Sequence, residues 1–410
     1  MSNYSDDKGY TKTDQSFLKN YNITKVLNIL RQYERLSRIE LSAVSSLDKK
    51  TITNITKRLL EDKQIEVVEY RYEGMGRPKA MLGLRGDYCK CIGLDLGGKY
   101  ISGVIIDFTG AVVCSHNVDI FSRIEPEMLI KISYNIIDNL LKKAKISMEE
   151  VNGIGISIPG FIDKETGMAI LSENIPLWST VPLEKIFSEK YNKPVYIDNN
   201  SRLMAVAELW YGKGRDQKDF LSFDLGLGIG CGIVINHNVY EGGSGKSGEV
   251  GHTIVEVDGP LCTCGRHGCI ESLASGWALD MQVQEAIKKG VPTLLTEMKS
   301  GEGSSATKAD IRLAAELGDE FSIKLLERAG EYIGIGVANA IDLFNPTLVI
   351  INGTLVADNE VLMNAIRKTV EEQTMPQIYS DVKIVESEIG VLASAIGAAT
   401  LCLEKSTKTE

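Results

Sequence analysis

Apolar residues recur at spacings of three and four from Asn22 onward, with Ile23, Val26, Leu27, Leu30 and Tyr33 in one stripe, and this period predicts a helix. A shorter amphipathic stretch covers Arg38 to Val44. Asp48 then stands where an N-cap belongs, ahead of a third helix in which Ile52, Ile55 and Leu59 form the inward stripe. Its opposite face carries Lys49, Lys50, Thr53, Asn54, Lys57 and Arg58. Two extended pieces, Ile65 to Tyr70 and Lys79 to Leu84, follow, and the Glu-Gly-Met-Gly-Arg-Pro between them reads as the turn of a hairpin wing.

Beyond this segment the pattern repeats itself. Cys91 to Asp107 reads as a strand, a glycine turn around Gly97 and Gly98, and a second strand. Phe220 to Asn236 reads the same way, offset by 129 residues, with an Asp-Leu-Gly triplet at Asp95 and at Asp224 and a glycine eight positions after each Asp, Gly103 and Gly232. A duplicated strand-turn-strand start predicts two related lobes, each a sheet with flanking helices. Glycine turns of this kind admit a phosphate to the backbone N–H groups, or they are tight hairpins with no ligand. The longest uncharged apolar runs, Ile389 to Leu403 and Leu343 to Ala357, fall short of the ~18 residues of a membrane span and read as buried elements.

Composition places the chain among ordinary globular proteins: 410 residues, 43% hydrophobic, 24% charged and only 10 Pro, enough for two or three domains. The polar start lacks a basic stretch followed by an apolar one, so 1–16 is expected to be a solvated tail and the protein cytoplasmic, with no membrane partner. In that compartment the 8 Cys are expected as thiols or metal ligands. Net charge is −10, which argues against wholesale nucleic-acid binding, yet Lys19 to Arg85 holds 14 basic and 8 acidic residues while the remainder holds 31 and 47. Any contact with DNA is therefore confined to the first eighty-odd residues, where phosphate contacts and base-edge readers share the face of one helix; a small basic helical domain that binds protein is the other reading of that segment.

Three cysteines, Cys262, Cys264 and Cys269, lie within eight residues and are interleaved with Gly265 and Gly268; His252 is ten residues upstream. Three thiolates and an imidazole make a closed tetrahedral set for structural zinc, and loose thiols are the other reading of this spacing.

The front segment resembles the winged helix-turn-helix of regulators in the ROK family (repressors, open reading frames and kinases), including Gly76-Arg77-Pro78 at the end of the wing; Ser46 departs from the glycine such turns often carry. From about Asp87 the chain resembles the family's sugar-kinase body. The motifs that carry this are Asp95-Leu-Gly-Gly, Ser157-Ile-Pro159-Gly160-Phe-Ile-Asp163, Asn174-Ile-Pro-Leu-Trp178, Asp198-Asn199-Asn200, Gly248-Glu249-Val-Gly251-His252 and Cys262-Thr-Cys264-Gly-Arg-His-Gly268-Cys269-Ile-Glu271, in that order. The resemblance implies an α/β fold: a two-lobed actin-like ATPase (ribonuclease H-like) body over 87–410, its second repeat starting near 220, preceded by a winged helix-turn-helix over 17–86. It implies sugar contacts from Asn174, Asn199, Asn200, Glu249, His252 and Glu271, with Gly160 shaping the floor. It also supports a structural zinc on His252, Cys262, Cys264 and Cys269, and DNA contacts from the third helix with Arg77 of the wing.

The chain departs from the kinases at points that matter chemically. Where their Asp-Asn-Asp motif supplies the general base, this chain ends in Asn200, and an amide cannot take the sugar's proton at neutral pH. Lys99 and Leu227 stand where the two phosphate turns carry Thr, and Ile350-Ile351-Asn352-Gly353-Thr354 replaces a run of glycines. The expected function is a non-enzymatic repressor that binds operator DNA as a homodimer or higher oligomer and is released by a monosaccharide such as xylose or glucose. An active hexose kinase with an accessory DNA-binding domain is the alternative, and control by a docking protein is a third reading.

Overall fold

The computed structural model describes residues 15–72, 78–97, 100–120, 125–163, 168–171, 181–298 and 307–407. Its described residues form two compact units, one within Met1–Lys90, Asp107–Ala111 and Leu403–Glu410, the other within Cys91–Ile106 and Val112–Cys402.

The first unit runs α1 (Gln15–Tyr33), β1 (Arg35–Ser37), α2 (Arg38–Ser45), α3 (Lys49–Glu61), β2 (Ile65–Arg71) and β3 (Lys79–Leu84), with the strands in the order β1-β3-β2. Helix α1 starts at Gln15, seven residues before Asn22, and takes in Phe17, Leu18 and Tyr21, which continue the spacing of three and four toward the N-terminus. Most of the expected tail lies outside the described residues. Ser37 and Glu40 close a capping box at the start of α2, and the Asp48 carboxylate accepts the Lys50 and Thr51 N–H groups, both at 2.9 Å, at the start of α3. Between the two helices Ser46 is left-handed, with φ of 58°, which is why glycine is common at this turn. Ile52, Ile55 and Leu59 are buried with Val26, Leu27, Leu30 and Leu41. The Arg38 guanidinium donates to Thr56 Oγ1 at 2.8 Å and ties α2 to α3.

The second unit contains the repeat. Its first half runs β4 (Lys90–Leu96), β5 (Tyr100–Asp107), β6 (Val112–Asp119), α4 (Pro126–Ala144), β7 (Gly153–Ile158), β8 (Phe161–Asp163), β9 (Met168–Leu171), α5 (Leu183–Tyr191), β10 (Val195–Asn199) and α6 (Asn200–Tyr211). Its second half runs β11 (Phe220–Leu225), β12 (Ile229–Ile235), β13 (Asn238–Val239), α7 (Ile270–Ala274), α8 (Gly276–Lys288), α9 (Lys308–Glu316), α10 (Glu320–Phe344), β14 (Leu348–Asn352), α11 (Glu360–Gln373), α12 (Pro376–Tyr379), β15 (Lys383–Glu386) and α13 (Ala393–Thr407). The sheet orders are β10-β7-β4-β5-β6 and, read the same way, β15-β14-β11-β12-β13. This is one topology twice: two related lobes, as the repeat predicts, in the actin-like arrangement that the resemblance implies.

Gly103 and Gly232, the repeated glycines, serve packing. A Cβ on Gly103 would strike Ile136 and Leu140 of α4, and one on Gly232 would strike Ala205 and the Ser201 backbone of α6. Helix α13 is seated in the same manner: side chains at Gly93 or Gly155 would run into the Ala395 and Ala398 carbonyl oxygens, and one at Gly397 into that of Leu203 on α6. Apolar side chains fill the rest, Ile92, Leu94, Ile136, Ile137 and Leu140 in the first half and Leu221, Phe223, Ile333, Val337 and Ile351 in the second.

Because the Ala398 carbonyl is backbone and cannot rotate away, Gly155→Ala is expected to destabilise the body by roughly 1–3 kcal/mol, the usual cost of overpacking. Denaturant unfolding checks it; an unchanged midpoint would mean that α13 is free to shift.

Candidate functional site

The chain enters the cleft at the junction of β10 and α6. Asn199 caps α6: its Oδ1 accepts the Ser201 and Arg202 N–H groups at 3.0 and 3.3 Å, and its Nδ2 donates to the Gly160 carbonyl at 3.1 Å. Gly160 has φ of 92°, a conformation that only glycine adopts readily, so the turn after β7 is drawn against the helix start. The next residue, Asn200, donates from Nδ2 to Asp224 Oδ2 at 2.7 Å and so links the two repeats. Asp198 accepts from the Asn199 N–H at 2.7 Å and forms a buried ion pair with Arg202, one turn on. Arg202 in turn donates to the Gly245 carbonyl at 2.8 Å and anchors the glycine-rich loop ahead of Glu249.

Gly160, Asn199, Asn200 and Asp224 line a cavity of about 520 Å³ that also takes in Asp95, Phe161, Glu249, His252, Glu271 and Lys308. Of the sugar contacts expected from the resemblance, Gly160, Asn199, Asn200, Glu249, His252 and Glu271 all line it, whereas Asn174 lies outside the described residues. Glu271, on the short helix α7, accepts the Ile229 N–H at 2.9 Å, which holds its carboxylate at the start of β12.

The two Asp residues of the repeated triplet are the groups whose chemistry the sequence did not announce. Burial lifts the Asp95 carboxyl to about 6, against hydrogen bonds from Ser157 and Ser394. Burial, with the charge of Asp95 second, lifts Asp224 to about 7, while the Lys308 ammonium pulls it down. The signal was present in the repeat itself, which places one acid at the same position of each lobe.

At the far end of the cavity the second glycine turn is turned inward. Gly226 N–H donates to the Gly228 carbonyl at 3.0 Å, and the Gly226 and Leu227 carbonyls accept the first N–H groups of α8, from Gly276 and Trp277, at 3.0 and 3.2 Å. Lys308 reaches across to donate to Thr354 Oγ1 at 3.0 Å. Gly98 and Lys99 of the first turn lie outside the described residues.

Beside the cavity His252, Cys262, Cys264 and Cys269 bring four donor atoms within 4.8 Å of one another, a set that can hold a metal ion. His252 Nδ1 is 3.5 Å from the Cys262 sulfur, and its Nε2 is 4.0 Å from the Glu249 carboxylate. One imidazole therefore faces the thiols with one nitrogen and the cleft with the other. Burial works to raise the Cys264 thiol, yet hydrogen bonds from the backbone and guanidinium of Arg266 outweigh it and bring it down to about 7. All eight cysteines are free of disulfides.

In the first unit Lys49, Lys50, Thr53, Asn54 and Lys57 are exposed on α3 and Arg58 is half-buried; Arg77 lies outside the described residues. Lys57 pairs with Glu61 at 3.8 Å and Arg58 with Asp62 at 3.4 Å. Exposed pairs one turn apart contribute only about 0.3–0.5 kcal/mol, so an incoming phosphate can displace them. No helix among the described residues is long and apolar enough to cross a membrane.

Compared with known proteins, residues 91–405 match the ROK family. A xylose repressor of Caldicellulosiruptor bescii is 30% identical over 390 residues, 95% of this chain and 97% of that one. A glucokinase of Thermotoga maritima is 31% identical over 316 residues, 77% of this chain and 98% of its own length. The crystal structure of a ROK family transcriptional regulator described as a homolog of the E. coli MLC protein superposes with a TM-score of 0.78 at 27% identity, covering 95% of this chain and 97% of that one.

The pH dependence of stability follows from Asp224. Its carboxyl titrates near 7 when folded and near the ordinary 3.8 when unfolded, so the folded state holds the extra proton between these values. Stability is then expected to fall as pH rises from about 4 to 7, with Asp95 adding to the fall up to about 6, and Asp224→Asn, which keeps an acceptor for Asn200, should lessen that slope and remove it above about 6. Thermal midpoints across this range are the measurement; an unchanged slope would place the buried proton elsewhere.

Proposed function

The chain belongs to the ROK family, and from that premise we propose that it is a sugar-responsive transcriptional repressor whose kinase-like body binds a monosaccharide without phosphorylating it. The observation that carries this reading is the amide of Asn200 in the position of the base, donating a hydrogen bond to Asp224. An amide that is already a donor holds a hydroxyl in place and accepts no proton from it. Asp198, the nearest carboxylate in the chain, is committed to Arg202 and offers no substitute. The Gly226 N–H, bonded to the Gly228 carbonyl, and the Lys308 bridge to Thr354 are donors already engaged within the chain, which supports the loss of nucleotide handling.

In this reading a monosaccharide such as xylose or glucose sits against Asn199, Asn200, Glu249, His252 and Glu271, with Asn174 and Gly160 completing the site. The outer face of α3, with Arg77 of the wing, reads operator DNA, and a homodimer presents two such helices to a symmetric site. The overall reach of the comparisons, 95% of the chain for a repressor against 77% for a glucokinase, supports the regulator over an active kinase.

Structural zinc fits the His252, Cys262, Cys264 and Cys269 set. Sulfur bonds of about 2.3 Å and a nitrogen bond of about 2.0–2.1 Å to a tetrahedral zinc separate two sulfurs by about 3.8 Å and sulfur from nitrogen by about 3.6 Å. Cys264 and Cys269 are 3.7 Å apart and Cys262 and His252 3.5 Å. Zinc there would cross-link the loop and fix the His252 ring, so that Nε2 keeps its aim at the cleft.

Three outcomes are expected. Incubation with ATP, magnesium and a panel of pentoses and hexoses should transfer no phosphate; turnover with any of them would restore the kinase reading. Wild-type protein should carry one equivalent of zinc by elemental analysis and Cys264→Ser should lose it, since removing one of four ligands opens a closed site. Finally, titrating an operator selected from random DNA should show sugar weakening binding by roughly 5- to 150-fold. Glu249→Ala should abolish that response, and Lys57→Ala with Arg58→Ala should lower the salt dependence by about one to two counterions. A Glu249→Ala protein released by sugar as readily as wild type would move the effector site elsewhere.

A further inference from the structure

The cleft does not end at the ring site. A second pocket of about 580 Å³ adjoins the first and shares Phe161, Glu249 and His252 with it. Its outer wall is the thiol loop, through Thr253, Ile254, Cys264 and Arg266. Each pocket alone falls in the roughly 300–1,000 Å³ span of small-molecule sites, and a single sugar ring engages the inner one only.

We propose that the outer pocket is a second sugar subsite, so that the effector class is a disaccharide or glycoside whose first ring occupies the inner cavity and whose second ring lies against the thiol loop. This rests on the sugar-binding reading above and refines its ligand. The junction carries what a glycosidic linkage meets. Phe161 stands between the pockets as an apolar surface for ring C–H groups. Lys246 holds that ring from the loop side, its Nζ 5.8 Å from the centroid, and the loop is itself anchored by Arg202 on the Gly245 carbonyl. Glu249 and His252 line both pockets, so their polar groups face each of the two proposed ring positions. Farther out, the exposed Thr253 hydroxyl and the Arg266 guanidinium provide an acceptor and a fork of donors, and the half-exposed Ile254 provides an apolar floor.

The test is calorimetric titration of the full-length protein with xylose, glucose, xylobiose, cellobiose, maltose and sucrose. At least one disaccharide is expected to bind about tenfold or more tighter than its constituent monosaccharide. Ile254→Trp, which fills the outer pocket with an indole, should remove that surplus and leave monosaccharide affinity unchanged. Arg266→Ala should reduce the surplus by a route that adds no bulk, and it serves where the Trp variant fails to fold. If monosaccharides bind and no disaccharide binds more tightly, or if both variants leave the surplus intact, the second subsite is wrong and the sugar-sensing reading stands. If no sugar of either size binds, both fall together.

Discussion

Everything at the cleft depends on where α6 is held. The helix has contacts with no slack on two sides: the Leu203 carbonyl against Gly397 of α13, and Ser201 with Ala205 against Gly232 of β12. Both contacts involve backbone, which has no rotamer to give way, so the helix cannot slide without parting from one lobe or the other. Its first residues then inherit fixed positions. Asn199 is pinned by capping its own helix and holding Gly160, and Asn200 by its bond to Asp224. A site assembled this way has its hydrogen-bonding groups in place before a ligand arrives, which lowers the ordering cost of binding.

Much of this architecture was legible in the chain because it rests on period and repetition. The helix stripe Ile52, Ile55, Leu59 and the N-cap Asp48 are local signals, and the structure keeps them as read. The duplicated Asp-Leu-Gly announced two lobes, and the two matching sheet orders follow from it. What was hidden is the work of the glycines eight residues on. On sequence they stood only as a coincidence of the repeat, whereas their positions are set by helices, α4 and α6, arriving from far along the chain. The start of α1 lies ahead of the stripe that begins at Ile23, although Phe17, Leu18 and Tyr21 were there to extend it.

The site was legible in part. The motif residues converge because most sit at element ends that the sheet order brings to one edge, Asn199 after β10, Asn200 at the start of α6, Glu271 on α7. The electrostatics were not legible. That Asp95 is lifted to about 6 and Asp224 to about 7 depends on their burial and, for Asp224, on the charge of Asp95, and both are properties of closure rather than of any residue's neighbours in the chain. The Asp198 and Arg202 pair joins the end of β10 to the first turn of α6, and in the proposed sensor it keeps Asp198 from serving as a base.

An amide at Asn200 and an acid at Asp224 that burial lifts to about 7 are two sides of one physical choice. A kinase must keep an ionised base beside the sugar hydroxyl, and a second buried carboxylate at the same place raises the cost of that charge. Replacing the base by an amide removes one negative charge from a cleft that already contains Asp95, Asp224, Glu249 and Glu271. The remaining acids then need less compensation from metal and nucleotide, and Lys308 is close enough to Asp224 to supply some of it from within the chain. In the proposed sensor the same change that ends phosphate transfer thus makes a cleft that is stable without its second substrate, and this is the condition under which sugar alone can set the state of the protein.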